Sequence, residues 1–168
     1  LGNWKAPFGI VLVLDQFSIL MVLVASLLAF GALWYAISEG IDKKGAHFHP
    51  LFQLQLFGLN GAFLTGDLFN LFVFFEILLL ASYSLLLHAK GEGRVKAGLH
   101  YVVINLVGST LFLFAVGTLY GILGTLNIAD LSQKVAHLSP ENVSIVASAG
   151  LLLLIVFGLK AAMFPLYF

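Results

Sequence analysis

The chain has 168 residues, 61% of them hydrophobic and 10% charged, with a mean hydropathy of +1.05. A soluble domain is nearer half apolar and a quarter charged, so the composition excludes a soluble globular class and indicates an integral membrane protein. The formal net charge is zero, which implies no nucleic-acid partner, and the lack of Cys removes disulfides, thiolate metal sites and iron–sulfur ligands.

The sequence reads as an all-α membrane protein, a polytopic bundle of about five spanning helices in a single transmembrane domain over residues 1–168. It opens LGNWKAP, with no initiator Met or signal-peptide pattern, and closes FPLYF inside an apolar run, so it is expected to be an internal piece of a longer protein. The segment FGIVLVL (8–14) is too short to span and reads as strand-like interfacial chain or the tail of another helix. The first span is predicted over Phe17–Ser38, closed by GIDKKGAHFHP. The second, Phe48–Gly66, is short and carries Gly58, Asn60 and Gly61. The third, Leu68–Ala89, follows a tight turn at Asp67, which is placed to cap it. The fourth is Lys96–Leu123 and the fifth Asn142–Phe168. Between them Ile128, Leu131, Val135 and Leu138 recur at helical steps. They predict an amphipathic surface helix near 127–138, capped by Asn127, with Asp130 at the capping-box position and Pro140 as its stop. The loops after the first and third spans hold Lys43, Lys44, Lys90, Arg94 and Lys96, against Lys5 and Lys134 opposite, which makes the first side cytoplasmic.

Two charges interrupt the apolar helices. Glu76 is the one charge in LFNLFVFFEILLLASY, and Lys160 is the one charge from Asn142 onward. Ionisable groups in a bilayer core are costly and mark ion pathways or proton relays. Glu76 lies roughly 13 Å along its helix from Asp67, near the midplane of a core about 30 Å thick. Lys160 lies roughly 27 Å from Asn142, so it reaches mid-bilayer only if its helix starts outside, tilts or breaks. A break is expected from Pro165, whose ring meets the carbonyl of Ala161, with Gly158 loosening the same turn. Burial disfavours either charge and a close opposite charge restores it. Lys160 is therefore the candidate proton carrier and Glu76 the group that sets its affinity, the opposing reading being a static pair that fixes helix packing.

Lower in rank as proton-pathway residues stand Asp67, as an outer entrance if not a cap, and His88 and His100 beside the basic loop. Ser82 and Tyr83, about two turns from Glu76, could hold water, and Asn105, Ser109 and Thr110 suit bonds across helices. His47 and His49 lack the further ligands a metal requires, and no cofactor motif is present.

The runs TGDLFNLFVFFEILLLASY, GTLNIADLS and FGLKAAMFPLYF resemble the antiporter-like subunits shared by respiratory complex I, membrane-bound hydrogenases and Mrp-type cation/proton antiporters, most closely the D-type subunit of the Mrp antiporters. The resemblance runs from about Pro7 to Phe168. It implies a fold of about fourteen helices built on two inverted repeats, each with a broken helix, of which this chain would hold the third to seventh. It also implies that Glu76 and Lys160 are the Glu and Lys of the family's proton-transfer pair. The family's further charged residues, on its eighth and twelfth helices, fall outside this chain, so the chain alone is not expected to pump. The expected function is a proton-translocating membrane subunit of a multisubunit sodium/proton antiporter in a bacterial or archaeal plasma membrane, with other membrane subunits, protons, sodium and the bilayer as partners. The alternatives are a proton-pumping subunit of a complex I-like or hydrogenase complex, and a structural scaffold.

Overall fold

In a computed structural model, the structure describes residues 4–88 and 92–165, with the side chains at 92, 94 and 97 left aside. In chain order these form α1 (Gln16–Ser38), a 3₁₀ turn (Asp42–Lys44), α2 (Phe48–Leu64), α3 (Leu68–Leu86), α4 (Glu92–Leu123), α5 (Ile128–Ala136) and α6 (Pro140–Lys160). Four helices are long and apolar enough to cross a membrane: α1, α3, Gly98–Leu123 of α4, and α6. The other expected span, α2, has 17 residues. The expected ends at Ala89 and Phe168, and Lys90, lie outside the described residues. The helix α4 begins at Glu92 rather than Lys96, because the polar turn EGRVK continues the helix ahead of its apolar part.

The contacts divide the chain into two compact units, where the sequence suggests one transmembrane domain. One comprises residues 13–64 and 73–102. Within it α2 and α3 approach closely through glycines. A Cβ at Gly58 would fall 2.7 Å from the Leu78 amide nitrogen, and one at Gly61 would strike the Phe74 ring. Small residues let membrane helices pack backbone to backbone, since lipid offers no hydrophobic drive for association. Asp15 caps α1 by accepting the Ser18 N–H at 2.7 Å.

The other unit comprises residues up to 12, 65–72 and 103 onward. Its helices bury a stripe of Asn105, Ser109, Phe112, Ala115, Val116 and Leu119 on α4, and Val146, Ala149, Leu153 and Val156 on α6. Both stripes follow three- and four-residue steps, the signature of one helical face. The segment 8–14 is extended where it pairs, one of the two forms expected for it, with Leu12 bridging Thr65 and Val11 accepting the Gly66 N–H at 2.9 Å. A second bridge joins Asp67 to Asn127. Each of those residues also caps a helix. Asp67 Oδ1 accepts the Asn70 N–H at 2.9 Å, and Asn127 Oδ1 accepts the N–H groups of Ala129 and Asp130 at 3.2 Å. Asp130 does not complete a capping box. It lies 3.3 Å from Lys134, one turn on, which draws the carboxylate away from the helix start. Pro140 is not a stop for α5, which ends at Ala136, but the opening residue of α6. A missing N–H costs nothing there, because first-turn amides have no partner inside the helix.

The Asp15 cap sets a pH dependence. The Ser18 amide donates to the carboxylate and holds its pKa below the ordinary 3.8. A depressed carboxylate stabilises the fold above its unfolded pKa, and that contribution disappears as pH falls through the folded value. The protection factor of the Ser18 amide against hydrogen exchange should therefore fall on acidification below about pH 4 in the native chain. In Asp15→Asn, whose amide oxygen caps at any pH, it should not.

Candidate functional site

Lys160 is the last residue of α6 and is half-buried. Its Nζ lies 3.5 Å from Ser109 Oγ on α4, a long hydrogen bond from ammonium to hydroxyl. Aromatic and aliphatic side chains pack between the same two helices. Phe112 and Phe157 meet edge to face with centroids 6.0 Å apart, and a Cβ at Gly108 would sit 3.1 Å from the Leu159 side chain. Ser109 and Asn105 are buried one turn apart on the same face of α4. The sequence marks both as residues that bond across helices, without indicating which partner either would meet.

The helix stops at Lys160, with Ala161, whose carbonyl Pro165 would meet in a continued helix, as its C-cap, and Pro165 falls in a later turn. Gly158 stays helical and buried. A backbone motif closes the helix end. Met163 N–H donates to the Gly158 carbonyl at 2.9 Å and Ala162 N–H to the Leu159 carbonyl at 3.1 Å, with Ala162 at φ 50°. This is the Schellman arrangement, in which a left-handed residue just past the helix lets two amides turn back onto the last carbonyls. That position usually holds Gly, and an L side chain there costs about 1–2 kcal/mol. Lys160 is thus placed where helical carbonyls run out, the end of the helix dipole that favours a cation.

Glu76 lies mid-way along α3 and is half-buried in the other unit. Tyr83 follows seven residues on along α3, where the two side chains share one face. Tyr83 packs edge to face on Tyr101 at 5.4 Å, and Tyr101 Oη lies 3.4 Å from Ser82 Oγ. Of the candidate pathway residues, Asp67 is engaged as the cap of α3. His100 is exposed on α4, with Nδ1 3.0 Å from the Lys96 carbonyl. Thr110 is exposed and bonds back to Leu106 on its own helix at 2.9 Å. His88 follows the end of α3, and its Nε2 is buried with no hydrogen-bond partner among the described residues. His49 pairs with Asp42 at 3.5 Å, a contact that no sequence pattern announces. No group of three metal-ligating side chains occurs among the described residues.

A lysine at a helix end and a glutamate within a helix, both on long apolar segments, invite comparison with known membrane proteins. A family profile described as "NADH:quinone oxidoreductase/Mrp antiporter, TM" matches residues 65–168. The chain belongs to this family. It is 56% identical over 168 residues to a D-type subunit of a probable K(+)/H(+) antiporter from Rhizobium meliloti (strain 1021), covering all of this chain and 31% of that protein. It is 46% identical over 169 residues to the D-type subunit of a Na(+)/H(+) antiporter from Alkalihalophilus pseudofirmus, covering all of this chain and 34% of that protein. Among solved structures it matches a chain of the Mrp complex from Dietzia sp. DQ12-45-1b, with TM-score 0.85 and 37% identity over 98% of this chain and 30% of the other. A chain of the membrane-bound sulfane sulfur reductase, an archaeal respiratory membrane complex, matches with TM-score 0.82 and 36% identity over 98% of this chain and 33% of the other. The chain spans about a third of the length of the curated relatives it matches. It is a multi-pass membrane protein of the plasma membrane, with the complex I-like fold of Mrp subunits.

The strained cap beside Lys160 gives a direct check. Ala162→Gly should raise the stability of the solubilised full-length protein by about 1 kcal/mol, read as a higher thermal midpoint. A lowered midpoint would mean that the Ala162 methyl is held by packing that outweighs its backbone strain.

Proposed function

We propose that this chain is part of a proton-translocating membrane subunit of a multisubunit cation/proton antiporter, with Lys160 as proton carrier and Glu76 as the charge that sets its affinity. The observation that carries the reading is Lys160 itself. It is an ammonium at the end of an apolar helix, beside a hydroxyl at hydrogen-bond limit, in a chain of this family. A lysine so held can keep its proton when an opposite charge compensates it and release it when that compensation weakens. Glu76 supports the reading as the one acid in the described length of α3. The relatives named as D-type subunits support an assembly with other membrane subunits. Their names give potassium in one case and sodium in the other, which supports an alkali cation as the exchanged ion.

A second reading is a proton-pumping subunit driven by redox chemistry elsewhere in its complex. The match to the sulfane sulfur reductase, a respiratory membrane complex, favours it.

The test uses the intact complex in inverted membrane vesicles. Sodium or potassium is added to a pre-formed pH gradient, and its collapse is recorded for the native complex and for Lys160→Ala. The native complex should respond to at least one cation, and an assembled variant should lose about 10²-fold or more, the contribution of a positioned proton-transfer group. An equal response would make Lys160 structural. No response to either cation in the native complex would favour the redox-driven reading.

A further inference from the structure

Protons that reach Glu76 must come from, or leave to, water, and an unused group of ionisable side chains lies at the loop end of its helix. The 3₁₀ turn after α1 is anchored by Ile41 N–H to the Ala36 carbonyl at 2.9 Å. It holds Asp42 with its side chain 12% exposed, and Asp42 Oδ2 lies 3.5 Å from Nε2 of His49, whose side chain is 54% exposed. The chain then passes Gly45, against which the His88 imidazole rests. A Cβ at Gly45 would come 2.7 Å from Nδ1 and 3.2 Å from Nε2, so a side chain there would displace the ring. The buried Phe48 ring packs on the same imidazole at 5.4 Å. Both His88 Nε2 and Asp42 Oδ1 are buried with no partner among the described residues. A buried polar atom left unpaired is costly, and folds retain few without a use for them. A carboxylate oxygen can only accept, and an imidazole nitrogen accepts or donates according to its proton. Asp42 and His88 do not pair with each other, so a proton passes between them through water.

We infer that Asp42, His49 and His88 form a proton port, through which α3 exchanges protons with water on the basic-loop face. The inference rests on the relay proposed above and extends it to the surface. A proton passes between water and His49, then Asp42, then Nε2 of His88, with only N–H and O–H bonds made and broken. Farther along α3, past the exposed Ser84, which bonds back to Leu80, come Tyr83 and Ser82, roughly 7–9 Å from His88. Ser82 and its partner Tyr101 line a cavity of about 380 Å³ together with Gln55. Tyr83 in turn lies on the same face of α3 as Glu76, two turns away. Among the described residues, the other ionisable side chains of the 3₁₀ turn, its flanks and the start of α4 are Glu39, Lys43, Lys44, His47 and Lys96, all exposed to solvent, where their charges are screened.

The experiment uses the complete complex in inverted vesicles, with this face outward, and measures initial exchange rate against outer pH. Removing the Asp42 charge weakens proton holding at the port, so Asp42→Asn should displace the rate–pH profile by about one unit toward acid, with its maximum kept. His88→Gln, which cannot titrate, should flatten the profile. If that variant does not assemble, His49→Gln, which removes the cation facing Asp42, should displace the profile toward alkaline pH instead. Profiles identical to the native one in the assembled variants would overturn the port. Lys160→Ala run alongside separates the two ideas: retained exchange there refutes the relay, whereas unchanged profiles with exchange lost in Lys160→Ala refute the port alone.

Discussion

The end of α6 is the constraint on which the candidate site depends. A helix that stops inside or near a membrane exposes carbonyls that hydrocarbon cannot satisfy, so the chain must satisfy them itself. It does so by turning the Met163 and Ala162 amides back onto Gly158 and Leu159. The turn requires a left-handed residue, and the sequence supplies Ala162 rather than glycine. The result is a fixed helix end with Lys160 as its final residue. An ammonium there meets a favourable dipole end and the Ser109 hydroxyl.

The opposite end of the same unit shows a different solution to the same problem. Three extended stretches, around residues 11–12, 65–67 and 126–128, exchange backbone hydrogen bonds where α3 and α5 begin. Asp67 and Asn127 each supply a cap and a bridge at once, so two helix starts are fixed by one small network. Asp67 is therefore accounted for by structure, in line with its position before an apolar run, whereas His88 is not accounted for by any contact its Nε2 makes among the described residues.

Much of this is legible in the sequence because hydropathy is a long-range average. The α1 and α3 starts, and the caps at Asp67 and Asn127, follow from apolar runs and from residue types that accept backbone N–H groups. Glu76 and Lys160 stand out as lone charges. The features that do not show are set by local competition or by tertiary contact. Pro165 signals a break, but not the backbone motif that closes α6 at Lys160. Pro140 signals a stop for one helix and equally a start for the next. The polar turn ahead of Lys96 resembles loop, yet charged residues of good helix propensity extend a helix beyond its apolar core. The packing of His88 on Gly45 joins residues far apart in the chain, and no periodicity reports it.

The central claim is that Glu76 and Lys160 act as one unit. A double-mutant cycle tests it most directly: cation-driven proton exchange by the assembled complex carrying Glu76→Gln, Lys160→Ala, or both. Residues that act as a unit are non-additive, so the account predicts that the double variant loses no more than the worse single one. Losses that multiply would show two independent groups and would contradict it.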